Sequence, residues 1–271
     1  MRLLLWTLFV SWVGFSSRQA AGQEADVTAE PISTDRPDQT ESSATVPRGA
    51  FQLEMGWSRI ENDDDGVDRS AARTTQTLLR IGVVTDFELR LGFDGFLDET
   101  VDTAAARGTD SGAGDASVGL KWRFLEEAQW RPEVALLAGV SLPTGEISSR
   151  RYDPTVRLSL SHTLTERLSL AYNLGVAWES EEDAGGSRHT LSATEYTVAL
   201  GADITSRIGA FVEFFGDAGL SRPGGPANSV DAGLVFGLQP NLQLDAAAGV
   251  GLSEDADDWF VTVGVSFRFP R

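Results

Sequence analysis

Residues 259–269 read Trp-Phe-Val-Thr-Val-Gly-Val-Ser-Phe-Arg-Phe. Trp259, Val261, Val263, Val265, Phe267 and Phe269 fall on one face of an extended chain, and Phe260, Thr262, Gly264, Ser266 and Arg268 on the other. A period of two residues is that of a β-strand. About eleven residues is the length a tilted strand needs to cross a bilayer. The same alternation recurs back through the chain, so this stretch predicts a wall built from many copies of one design.

Bulk properties narrow the class. The 271 residues suffice for one large all-β domain. A net charge of −18 argues against a nucleic-acid partner, which wants a basic surface. The absence of cysteine rules out disulfides, thiolate metal sites and a lipid-modified cysteine. Twenty-eight glycines against two methionines suit strands and tight turns better than helices.

Arg2 followed by the apolar run Leu3 to Phe15, and then by Ala20, Ala21 and Gly22, predicts a secretion signal over residues 1–23. No other run is apolar over the roughly 18 residues a spanning helix requires. Only a β-barrel could then place the mature chain in a membrane.

Residues 24–49 are polar and rich in proline, serine and threonine, without sustained periodicity. They predict an extended segment, lying beneath a barrel or inside it as a plug. From residue 50 onward the alternation predicts twelve strands. The first are Phe51 to Ser58, Thr74 to Val84, a third around Leu89 to Phe93, Asp115 to Phe124, Pro132 to Leu142 and Thr155 to His162. Leu168 to Trp178, Thr190 to Ile204, Ile208 to Phe215, Val230 to Leu238, Leu242 to Leu252 and the closing stretch complete the set. Long polar connections are predicted over 59–73, 97–114, 143–153, 179–188 and 217–228, alternating with short turns. Outer-membrane barrels have that asymmetry, with short turns in the periplasm and long loops outside. The predicted fold is an all-β, antiparallel up-and-down transmembrane barrel over residues 50–271.

Alternation also suits a soluble sandwich or lipocalin-like barrel. The apolar face, however, continues through all twelve predicted strands, while the other carries charge, glycine or hydroxyl. Trp57, Trp122, Trp178, Trp259, Phe267 and Phe269 gather near strand ends, where interfacial girdles lie. Twelve strands leave more interior than eight and less than a 16-stranded porin.

Ser33-Thr34-Asp35-Arg36-Pro37-Asp38, Val46-Pro47-Arg48-Gly49 and Phe51-Gln52-Leu53-Glu54 resemble the start of the outer-membrane "MetA-pathway of phenol degradation" family. Ala138-Gly139-Val140-Ser141-Leu142-Pro143-Thr144-Gly145 resembles its central signature. Glu213, Asp231 with Gly233, and Asp245 with Gly249 resemble its C-terminal strands. The resemblance implies an outer-membrane transporter of small compounds, aromatic or hydrophobic ones among them.

The predicted inward face carries Glu54, Arg80, Arg90, Asp94, Asp115, Lys121, Arg123, Arg157, Glu195, Glu213, Asp231, Asp245 and Arg268. Such charges either filter ions in a mildly cation-preferring pore or pair as struts between neighbouring strands. Asp35, Arg36 and Asp38 are the residues by which a plug would dock. The run Asn62 to Gly66 resembles a calcium loop, but Ala72 stands where an EF-hand places glutamate, so no metal site is expected. His162 and His189 lie in no nucleophile context, so neither catalysis nor a cofactor is expected. Expected partners are outer-membrane lipid and lipopolysaccharide, the barrel-assembly machinery and a small solute. A structural or surface-binding barrel without transport is the alternative, and a lipid-modifying barrel enzyme a third reading.

Overall fold

A computed structural model describes residues 31–270, apart from 65–66, 104–105 and 183–186. The expected secretion signal, the start of the 24–49 segment, and Asp65 and Gly66 of the acidic run lie outside the described residues.

Among the described residues fourteen strand segments follow one another: β1 (Phe51–Asp64), β2 (Val67–Val84), β3 (Phe87–Phe93), β4 (Phe96–Thr103), β5 (Arg107–Ala113), β6 (Ala116–Leu125) and β7 (Glu133–Leu142) come first. Then come β8 (Asp153–Thr163), β9 (Leu168–Glu182), β10 (Arg188–Asp203), β11 (Ile208–Gly219), β12 (Ala227–Gln239), β13 (Leu242–Gly251) and β14 (Trp259–Phe269). Each pairs antiparallel with its neighbours, and β1 joins β14 to β2, which closes the sheet.

The fourteen segments make twelve crossings. β3 and β4 pair in turn with the same strand, as Thr77 faces Phe93 and Thr74 faces Phe96. β5 and β6 likewise face β4 and β3. At the breaks, the Asp94 N–H donates to the Asp115 carbonyl at 2.9 Å and the Gly114 N–H to the Gly95 carbonyl at 2.8 Å, so the ladder runs through. Gly95 there adopts a φ of +86°, which only glycine takes without strain.

Several predicted loops are strand. The described residues of 59–73 and most of those of 97–114 are strand, in the paired β1 and β2 and the paired β4 and β5, and β9 and β11 run several residues into the predicted loops 179–188 and 217–228. Beyond the bilayer both faces of a strand meet water, so the backbone ladder persists while the alternation that reveals it fades. Asp94, placed on the inner face by periodicity, sits exposed in the β3–β4 break.

The two faces differ as water and hydrocarbon do. Leu89, Leu91, Trp122, Leu174, Val212, Leu234 and Val263 stand exposed around the outside. Arg80, Glu88 and Lys121, on the other face, are 0% exposed. Exposed apolar surface continuous around a molecule is that of a lipid-facing wall. Rings collect at its margins: Phe51 stacks on Phe269 at 5.4 Å, Trp122 packs on Phe124 at 5.4 Å, and Phe93 meets Phe96 edge-on at 5.6 Å. Among the described residues no helix is long and apolar enough to cross a membrane.

Candidate functional site

The interior is where polar chemistry concentrates, and residues 31–50 lie in it. The chain enters near the β12–β13 turn, where the Ile32 N–H donates to the Pro240 carbonyl at 2.8 Å. It leaves along β2, where the Gly49 N–H donates to the Gly82 carbonyl at 2.7 Å before β1 begins. A Cβ on Gly82 would lie 2.0 Å from the Pro47 carbonyl oxygen, so only glycine admits the segment so close to the strand.

Asp35 is its central anchor. Lys121 Nζ lies 2.9 Å from both Asp35 carboxylate oxygens, and Arg80 and Arg90 also pair with Oδ2. Glu54 accepts from Arg80 at 3.1 Å and Glu88 from the Arg80 Nε at 2.8 Å. Three bases thus meet three acids in a nearly water-free cluster. Each charge has a partner, which is the condition for burying charge at all. Burial alone would raise the Asp35 pKa, but the charges of Arg80, Lys121 and Arg90 hold its carboxyl well below the usual range.

The cluster also fixes the segment's backbone. Arg80 and Lys121 donate to the Ala44 and Ser42 carbonyls at 2.8 and 2.7 Å. The Ser42 N–H donates back to Asp35 at 3.0 Å and the Val46 N–H to Glu88 at 2.7 Å. Ser43 donates to Glu133 at 2.7 Å. The Arg36 guanidinium lies over Gly56 and Gly264 and reaches Thr262 at 2.7 Å and Asp245 at 3.3 Å.

On the far wall the segment meets β8 to β11. The Gln39 N–H donates to Glu213 at 2.8 Å and the Thr40 hydroxyl donates to the same carboxylate. The Glu41 N–H donates to Asn173 at 2.7 Å, and the Glu41 carboxylate pairs with Arg90 and Arg157. Asp38 lies within electrostatic reach of Glu213 and Asp231. Burial first, then the negative charges of Glu213, Asp231 and Asp35, push its carboxyl well above the usual range.

The other inward charges have separate roles. Asp115 accepts from the Thr144 and Gly145 N–H groups at 3.0 and 2.8 Å and from Ser148 at 2.8 Å, so it braces the loop after β7. Arg123 pairs with Asp86 and Glu133 at the short-turn rim. Arg157 spans to Glu195 at 2.8 Å. Arg268 is buried at 4% exposure.

Among the described residues, two cavities flank the segment. One, of about 450 Å³, opens toward the long loops between Gln39, Arg157, Glu195, Thr197, Phe215 and Asp255. The other, of about 410 Å³, opens toward the short turns between Arg36, Asp38, Arg167, Asp203, Phe211 and Gln243.

Residues 34–269 match the family described as "Putative MetA-pathway of phenol degradation". The chain belongs to that family. No curated protein matches it in sequence. Among solved structures it is similar to the NanC porin, at 12% identity and a TM-score of 0.50 over 80% of this chain and 98% of that one. It is similar to the translocator domain of autotransporter NalP from Neisseria meningitidis, at 12% identity and a TM-score of 0.54 over 81% and 88%. It is also similar to the β-domain of the Bordetella autotransporter BrkA, at 11% identity and a TM-score of 0.53 over 81% and 99%. At such identities the likeness is one of fold, that of bacterial outer-membrane barrels.

For this family member, periodicity alone did not single out Glu88, Glu41, Glu133, Asn173 or Thr262, which hold the segment. Each sits on a polar face or in the polar segment, yet alternation names a face and not what lies across it. His162 points to the outer face and stacks on Tyr172 at 6.0 Å, with Nε2 3.3 Å from the Tyr172 hydroxyl. It belongs to the interfacial girdle.

Proposed function

We propose that this outer-membrane barrel is a passive channel for small solutes and that residues 31–50 hold it shut as an internal plug. Passage down a gradient needs a wetted lumen and neither cofactor nor catalytic group. The observation that carries the reading is the pair of cavities, about 450 and 410 Å³, that meet the segment from opposite ends. Volumes of that order take a molecule of one or two rings. Their lining, in which polar residues predominate, favours solutes with hydrogen-bonding groups over plain hydrocarbons. In the loop-side cavity Glu195, Asp217, Asp255 and Asp257 outnumber Arg157 and Arg222, which favours cations among ions.

A closed structural barrel is the second reading, and the buried ion cluster around Asp35 favours it. Recordings from planar bilayers separate the two. A channel gives discrete current steps, with a larger permeability for potassium than for chloride. Silent bilayers with a correctly folded barrel would reject the channel.

A further inference from the structure

The cavities, the aromatic side chains of the inner face and the stretch of the segment outside its ion pairs converge on one strand. Along the lumen face of β11, Phe211, Glu213 and Phe215 follow at two-residue spacing. Phe211 lines the cavity on the short-turn side, Phe215 the cavity on the loop side, and Glu213 stands between them. The Phe211 ring lies over Gly233, and the Phe215 ring packs edge-on to Phe260 at 5.7 Å. Glu213 is 1% exposed because Gln39 and Thr40 occupy its carboxylate.

We infer that solute crosses along this Phe211–Glu213–Phe215 track, and that the chain at Asp38–Thr40 closes the track by occupying Glu213. The inference rests on the channel reading and adds to it the route, the closing element and the solute class. The segment is held unequally. Residues 33–36 and 41–50 are fixed by the ion cluster, by Glu41 pairing with Arg90 and Arg157, by backbone bonds to β2 and by the Val46 N–H on Glu88 of β3. Between them, residues 38–40 have few holds: two bonds to Glu213, and Thr40 Oγ1 2.6 Å from Thr197 Oγ1. Opening therefore needs local release of three residues and not expulsion of the whole segment.

The chemistry of the track names the solute. Two phenyl rings offer flat apolar contact, and a carboxylate between them accepts hydrogen bonds. A small ring with an apolar face and a hydroxyl donor satisfies both. Its hydroxyl would take the place of the Gln39 N–H and the Thr40 hydroxyl on Glu213. Hydroxylated aromatics and monosaccharides share that chemistry.

The chain lacks cysteine, so engineered tethers act alone. Full-length protein is reconstituted in planar bilayers as two double variants. T40C/T197C ties the closing residues to β10, where the two hydroxyl oxygens are 2.6 Å apart. S43C/S161C ties the anchored part to β8, where they are again 2.6 Å apart. Both pairs of side chains are in direct contact, and mass spectrometry under oxidising and reducing conditions reports whether each disulfide forms. Oxidised T40C/T197C should lose at least about nine-tenths of its open time, a tenfold shift that is small beside the loss of two charge-assisted bonds. Reductant should restore it. Oxidised S43C/S161C should conduct as its reduced form does. Phenol or glucose should interrupt the current, toluene should not, and F211A/F215A should weaken the interruptions several-fold. Whichever of phenol and glucose acts identifies the ring chemistry. Equal silencing by both tethers, silencing by neither, or toluene acting as phenol does would each overturn the inference while leaving a channel. Absence of current in every reduced protein would instead remove the channel reading.

Discussion

Asp35 and Lys121 stand 86 positions apart in sequence and meet at 2.9 Å inside the barrel. The bond ties a segment outside the sheet to the middle of β6. It joins two charges that neither the segment nor the strand could bury alone. Replacing Asp35 by Asn takes the paired carboxylate from Lys121, while Arg80 keeps Glu54 and Glu88. Stranding a buried charge costs about 3–5 kcal/mol, whereas an exposed pair is worth about 1 at most. The segment should undock while the wall stays folded. Amide exchange at Ser42 and Val46 reports it, because those N–H groups donate to Asp35 and Glu88. Unchanged protection at both in the Asp35→Asn protein would contradict the anchoring role.

Gly82 gives a steric counterpart. Gly82→Val suits a strand by propensity, yet its Cβ would collide with the Pro47 carbonyl 2.0 Å away. The segment should be displaced and the open time should rise. At Gly139, also on the inner face, the nearest atom to an added Cβ is the Thr155 hydroxyl at 3.4 Å, so Gly139→Ala should behave as wild type. Equal effects from the two substitutions would show that the segment does not rest on β2.

Acidity should act on the closing residues and not on the anchor. Asp38 has its pKa raised on docking, first by burial and then by Glu213, Asp231 and Asp35. A docked carboxyl that holds its proton more tightly than the free one favours docking at low pH. That contribution is lost as pH rises from the ordinary aspartate value of about 3.9 through the docked value. Asp35 has the opposite sign, and its pairing fails only in acid below that ordinary value. Open time should therefore increase with pH in the wild type and less steeply in Asp38→Asn, which keeps the neighbouring carboxyls of Glu213 and Asp231. An identical profile in the Asp38→Asn protein would remove Asp38 from the mechanism.

The outer wall is tested by charge. Val263 stands exposed in the middle of β14. At the bilayer midplane an arginine costs about 2–4 kcal/mol, so Val263→Arg should lower the unfolding free energy from urea titration in lipid vesicles by that amount against Val263→Leu, and the midpoint with it. Midpoints that coincide would mean that this face does not meet hydrocarbon.

The crossings were legible because a bilayer imposes alternation wherever hydrocarbon touches a strand, as at Trp259 to Phe269. The extensions of β1, β2, β4 and β5 were not, since above the lipid nothing forces Glu61, Asp98 or Thr109 to differ from their neighbours. Asp35 and Arg36 stood out as charged residues in a segment long enough to reach the interior. Their partners did not, because the contact of Asp35 with Lys121, or of Gln39 with Glu213, depends on closing the sheet. The glycines at 56, 82 and 264 look like ordinary strand glycines until the segment that passes over them is in place.

The central claim is that a folded barrel is kept closed by its own N-terminal segment. Single-channel recording of wild type beside Asp35→Asn, each shown to be folded by its heat-dependent shift in gel mobility, tests it most directly. The account predicts rare, brief openings in the wild type and sustained current in Asp35→Asn. Two equally silent proteins, or two that conduct alike, would contradict it.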